Sequence, residues 1–165
     1  MHVSDVATVP LTDKLELVIA SDNSATIGNK EHDIIQVDDE VTGYYTCRVA
    51  YMDLIRAGAS PDVIVLQNFT GNSAWKAYQK GVHQLLAEAN RPSLPITGST
   101  ETNFTTLQSG LGLTIVGTRN KPSSNRIKWR GTEQFAVIGK PLVGNQAIEQ
   151  PEHIAPVSLY EQLAQ

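Results

Sequence analysis

The sequence predicts an α/β (α+β) domain, a mixed sheet with helices on one face. Three observations carry that expectation. Residues 43–61 (GYYTCRVAYMDLIRAGASP) place Cys47, Ala50, Leu54 and Ala57 at helical spacing. Gly58 then supplies a left-handed stop, and Pro61 blocks continuation. Two runs of strand character, residues 15–20 (LELVIA) and 62–67 (DVIVLQ), flank that helix. Finally, strand-like and helix-like segments alternate through the first two thirds of the chain, and strand-like segments return near the end.

Taken in order, the first strand runs into a polar stretch, residues 21–33 (SDNSATIGNKEHD), which reads as a loop. Ile34, Ile35 and Val37 make a short second strand, and Asp38, Asp39 and Glu40 form an acidic run suited to a helix N-terminus. Beyond Pro61 and its strand, Gly71 to Ser73 is a turn. A second helix over residues 74–90 aligns Trp75, Tyr78, Val82, Leu85, Leu86 and Ala89 as a core stripe. Residues 94–97 form a short strand ending at Gly98, and residues 99–109 are polar and Thr-rich. Residues 110–118 (GLGLTIVGT) are a strand whose glycines mark bulges or close backbone approaches. Residues 120–125 read as a loop, and residues 126–128 and 134–138 as strands, with Trp129 an edge-strand residue. A short helix is expected over residues 158–164. Because Pro151 and Pro156 precede it, it is expected off the main body as a linker.

The 165 residues suffice for one domain with a sizeable core. A net charge of −4 with no basic patch argues against a nucleic-acid partner, and no apolar run reaches the length of a membrane span. The first residues (MHVSDVATVPL) lack the basic and apolar regions of a secretion signal. Cys47, the one cysteine, lies on the helix stripe, which fits a reduced thiol and a cytoplasmic setting. Four scattered histidines have no zinc-ligand spacing.

Candidate chemistry gathers where polar segments adjoin buried ones: Asp22 after the first strand, Asp53 in the helix, and Gly98-Ser99-Thr100-Glu101 after a strand. Asp53, beside Met52, Leu54 and Ile55, needs a partner, either Arg56 or a metal ion carrying phosphate. Carboxylates with a Gly/Ser/Thr turn suit Mg²⁺ and phosphate, and Lys30 adds a point charge. No Walker loop, nucleophile elbow or Cys–His pairing is present.

Residues 43–61, ending Asp53-Leu54-Ile55-Arg56-Ala57-Gly58-Ala59-Ser60-Pro61, resemble the helix of the aminoimidazole ribonucleotide synthetase (PurM-like) superfamily. The segment Gly98-Ser99-Thr100-Glu101-Thr102-Asn103-Phe104 resembles the turn of its alpha-ribazole kinases. Asp22-Asn23-Ser24-Ala25-Thr26-Ile27-Gly28-Asn29-Lys30 resembles their loop, departing from it at Ala25 and Thr26. Phe135 to Gly139 resembles the strand that closes the family's N-terminal domain. The resemblance implies an N-terminal ATP/Mg-binding domain over residues 1–150, with residues 151–165 a linker or the start of a C-terminal domain. It implies a homodimer formed through the sheet, ATP contacts from Asp22, Gly28, Lys30, Gly98, Ser99 and Thr100, and Mg²⁺ contacts from Asp22, Asp53 and Glu101. It further implies a small-molecule kinase acting on alpha-ribazole in cobalamin salvage, inactive as this chain alone, with no general base named. The alternatives are a non-catalytic dimerisation or nucleotide-binding module and another ATP-dependent synthetase of the superfamily.

Overall fold

A computed structural model describes residues 5–91, 93–121 and 130–163. Its strands are β1 (Val6–Pro10), β2 (Leu15–Ala25), β3 (Ile27–Gly28), β4 (Ile35–Gln36), β5 (Ser60–Asn68), β6 (Ile96–Thr100) and β7 (Gly110–Asn120). The two long helices are α1 (Asp39–Arg56) and α2 (Asn72–Glu88). Two short ones follow, α3 (Asn145–Glu149) and α4 (Val157–Leu163), with a 3-10 turn over Pro151–His153 between them. The main sheet has the order β1-β2-β7-β5-β6, and β3 pairs with β4 alone. Only β5 and β6 are parallel neighbours in the main sheet, so the sheet is mixed as expected.

Alternation decides which side the helices cover. On β2, Val18 and Ala20 are fully buried. So are Ile64 and Leu66 on β5 and Ile115 on β7, with Leu111 and Leu113 nearly so. These residues share one face and pack on Cys47, Ala50, Tyr51 and Leu54 of α1 and Tyr78, Val82, Leu85 and Leu86 of α2. The opposite face carries Leu17, Ile19, Val63, Val65 and Val116, all only part-buried.

The helix stop works as the sequence suggests. The Ala57 amide donates to Asp53 O (3.1 Å), Gly58 takes φ +76°, and the Ala59 amide reaches Leu54 O (3.2 Å). α1 starts earlier than its apolar stripe, at Asp39, because the acidic run forms its first turn. α1 and α2 cross closely at two glycines. A Cβ on Gly43 would lie 2.6 Å from Tyr78 O, and one on Gly81 would lie 2.0 Å from Glu40 O.

Five local expectations change. Residues 21–25 extend β2 instead of forming a loop, because they pair with residues 110–114 of β7. The second strand shrinks to Ile35–Gln36. Gly98, Ser99 and Thr100 belong to β6, held to β5 by parallel pairing, so the turn begins at Glu101. Residues 134–138 are exposed and adopt no strand. The C-terminal segment is seated on the body: Val157 is fully buried, Tyr45 Oη donates to Ala147 O (3.1 Å), and Arg48 Nη2 donates to Ala155 O (2.6 Å). The expected strand at 126–128, Trp129 and most of the 120–125 loop lie outside the described residues.

Candidate functional site

Three strands, β2, β5 and β6, run in one direction and end at the same edge of the sheet, where β7 begins. The starts of α1 and α2 lie at this edge too, as do residues 26–38 and 101–109. Ligand sites of α/β layers form at such edges. The loops are tied together there. Lys30 Nζ donates to Thr106 O (2.7 Å) and Thr106 Oγ1 (2.6 Å), and Thr106 Oγ1 donates to Phe69 O (2.9 Å). Gln108 Nε2 donates to His32 O (2.7 Å).

Gly28 is buried against this network. A Cβ there would stand 2.4 Å from Ser109 Oγ and 3.0 Å from Asp33 Oδ2. Asp33 accepts from the Ser109 amide (2.7 Å), Ser109 Oγ (2.7 Å) and the Lys30 amide (2.9 Å). Burial works against its charge, but these bonds and the Lys30 charge win, and the carboxyl is held below its ordinary value.

Asp22 and Asp53 are brought close enough for one to act on the other. Asp22 is pushed up by burial, opposed by its hydrogen bond from the Asn23 amide, with the charge of Asp53 adding to the rise. Asp53 is pushed up by burial and by Asp5, and is eased by Arg56 at 3.8 Å. Arg56 also pairs with Asp5 at 2.5 Å. Asp53 thus has the intrahelical partner the sequence offered, while its neighbour Asp22 leaves local negative charge uncompensated.

Gly98, Ser99 and Thr100 form a second place. Asp22, Leu113, Leu66 and Gly98 stand in one row across the sheet. Three inter-strand steps separate the ends of that row, about 14 Å, with buried Leu113 and Leu66 between. Gly98 adopts φ +150°, and a Cβ there would lie 1.9 Å from Leu66 O, so this close strand approach requires glycine. Glu101 accepts the amides of Asn103 (2.6 Å) and Phe104 (3.3 Å) through Oε1 and so caps its turn. Among the described residues, no three His, Cys, Asp or Glu side chains are grouped to share a metal ion.

The structure adds residues the sequence reading passed over. Gly98, Ser99 and Thr100 line a cavity of about 450 Å³ with Asn72, Ser73, Trp75 and Lys76 of α2. α2 starts after Gly71 with no side-chain cap and no acid in its first turn. Its free amides and the Lys76 ammonium favour an anion. The available signal was the string NSAWK directly after a glycine turn: a helix start without an acidic residue and with a lysine in the next turn.

The fold is shared with solved structures that include a thiamine monophosphate kinase. Thiamine monophosphate kinase from Aquifex aeolicus matches 71% of this chain and 38% of its own at 17% identity and a TM-score of 0.53. A structure of AaThiL complexed with AMPPCP and TMP matches 70% of this chain and 36% of its own at 17% identity and a TM-score of 0.52. A protein from Thermus thermophilus matches 70% of this chain and 36% of its own at 12% identity and a TM-score of 0.53. The chain therefore spans little more than a third of these neighbours' length. The likeness is one of fold, and it agrees with the mixed sheet and one-sided helix layer expected from the sequence. No protein-family model matches the sequence, and no curated protein does. No helix among the described residues is long and apolar enough to cross a membrane.

Proposed function

We propose that this chain is the nucleotide-binding part of an ATP- and Mg²⁺-dependent small-molecule kinase of the PurM-like superfamily, with alpha-ribazole as the phosphoryl acceptor. The observation that carries the reading is the cavity joining Gly98, Ser99 and Thr100 to the uncapped, lysine-bearing start of α2. Amides, hydroxyls and an ammonium converge there, and a polyphosphate asks for that donor set. The AMPPCP bound to a protein of the same fold supports the nucleotide.

Mg²⁺ fits the charge at Asp22 and Asp53. Both carboxyls are raised by burial and a neighbouring carboxylate, a strain that a cation relieves. Two carboxylates with water begin a Mg²⁺ shell. A nucleotide seated at the α2 cavity would complete it, and have its transferring charge offset, only by extending its terminal phosphate across the roughly 14 Å to Asp22. Glu101 orients the 101–104 turn beside Thr100. Lys30 fixes residues 101–109 through Thr106, and Gly28 lets residues 26–33 close on Ser109. The cavity at α2 has one wall in these residues and stands open to water on the other side, so the chain alone binds nucleotide weakly and does not turn over. The part-buried apolar residues of the open sheet face support a twofold homodimer formed through that face.

The test is ADP release with alpha-ribazole, comparing residues 1–165 with the same chain joined to whatever sequence its reading frame adds. Activity confined to the longer protein and lost in Asp53→Asn is expected. Robust turnover by the short chain would overturn the half-site reading, and failure of alpha-ribazole with success of another alcohol would overturn the acceptor. A non-catalytic nucleotide-binding module is the second reading, supported by a cavity lining around Ser99 that, among the described residues, holds no His, Asp or Glu.

A further inference from the structure

Asp39, in the first turn of α1, is 5% exposed. Its Oδ1 has no hydrogen-bond partner, the one such buried side-chain atom among the described residues. Burial raises its pKa, and the charge of Asp33 is the next largest cause. The Asn29 amide and Lys30 oppose the rise, and Asp38 adds to it. Asp33 itself is 7% exposed. Among the described residues its Oδ1 accepts only the Ser109 amide (2.7 Å), so a lone pair of that oxygen stays open. Lys30, the nearby cation, has turned its ammonium to Thr106.

The charges do not balance. The buried carboxylates Asp33 and Asp39 against Lys30 leave one negative charge, Asp38 being exposed to solvent. The start of α1 contributes about half a positive charge, which still leaves about half a negative charge uncompensated. Asp39 Oδ1 is buried with no donor, and Asp33, whose Oδ2 lies 3.0 Å from a Cβ placed on Gly28, is near enough for its charge to act on Asp39, an arrangement that suits a cation. We propose that Asp39 and Asp33 hold a hard divalent cation between the start of α1 and residues 26–33, at a site separate from Asp22 and Asp53. Two carboxylates with retained waters is the habit of Mg²⁺, and it needs no third acidic ligand. Ca²⁺ shares the oxygen chemistry but asks for more ligands. The ion would clamp residues 26–33, and through Lys30 and Thr106 the 101–109 loop, without nucleotide being present.

The experiment is thermal unfolding of the full chain with MgCl₂ or CaCl₂, and no nucleotide. A saturable rise in the melting midpoint is expected. Asp39→Asn should raise the apparent dissociation constant at least about tenfold, while Asp13→Asn, an exposed carboxylate in the turn between β1 and β2, keeps the response of the unaltered protein. No metal-dependent shift in the unaltered protein would overturn the proposal, as would an undiminished response in Asp39→Asn. Loss in Asp53→Asn alone would place the ion at the other carboxylates. Should Asp39→Asn fail to fold, anomalous diffraction from unaltered crystals soaked in MnCl₂ decides: a peak at Asp39 Oδ1 is expected, and a water or no peak there refutes the site. This outcome stands apart from the kinase reading, which fails or holds on ADP release.

Discussion

Helix α1 begins on Asp39 and Glu40. Helix α2, at the same edge of the sheet, begins on Asn72 and Ser73. Both starts lack a side-chain cap, so both present unsatisfied amides. At α1 the chain supplies its own anions: Asp39 takes the Asn29 amide, and Glu40 pairs with Lys80 at 2.7 Å. At α2 it supplies none and adds Lys76 beside a cavity. The same fold element thus carries negative charge that closes it to an anion in one place and carries none in the other. The difference lies in the first-turn side chains and in the backbone before them, extended at Asp38 (φ −64°) and at positive φ (+119°) at Gly71, and it points an anionic ligand to α2.

The largest effect should come from forcing the two helices apart. Gly81→Val places atoms where Glu40 O and Tyr44 N already stand, 2.0 and 2.6 Å from an added Cβ. Because backbone must move, we expect a loss of at least about 3 kcal/mol in urea unfolding. An unchanged midpoint would mean that the crossing is looser than the structure has it.

Next is Asp33, which braces the α1 side. Asp33→Ala strands the Lys30 and Ser109 amides and the Ser109 hydroxyl, for a loss of about 2–3 kcal/mol at neutral pH. Its folded pKa lies below the ordinary 3.8. The stabilisation is therefore complete above about pH 4 and is lost as pH falls through the folded value. The gap between unaltered and variant proteins should close in acid, and a gap constant down to pH 2 would contradict the assignment.

Lys76→Ala should then weaken Mg-ATP binding about tenfold, or about 1.4 kcal/mol. Glu40→Gln at the closed helix should leave it unchanged, and calorimetric titration reads both. Equal effects at the two starts would erase the distinction between them. The smallest change is Asp22→Asn, whose stability effect should stay within about 0.5 kcal/mol because the residue is part-exposed.

The helix layer was legible because its residues follow apolar periodicity: the stripes through Leu54 and Leu85 and the stop at Gly58 all occur as read. Residues 21–25 were hidden because their pairing with β7 is backbone bonding, and Ser, Asp and Asn leave no apolar trace of it. β1 escaped for a similar reason. Four of its five residues are exposed at the sheet edge, so nothing selects an alternating pattern. At the site, Asp22 and Asp53 were legible as carboxylates next to buried segments. The role of Glu101 as a cap, the bracing bonds of Lys30 and the neighbourhood of Lys76 depend on which loops meet. A pairing between residue 30 and residue 106 leaves no mark on either local sequence.

The seating of α4 has a consequence for how the molecule assembles. Its seven residues are too few to hold a helix in water. Its helicity exists because Val157 is buried and Glu161 accepts from Tyr51 and faces Arg91 at 3.7 Å. Tyr51 and Glu161 are 110 positions apart, so the segment gains its partners only after the sheet and the first two helices have formed. α4 is then a separate cooperative unit, last to fold and first to open, and its amides exchange with solvent sooner than those of the surface it rests on.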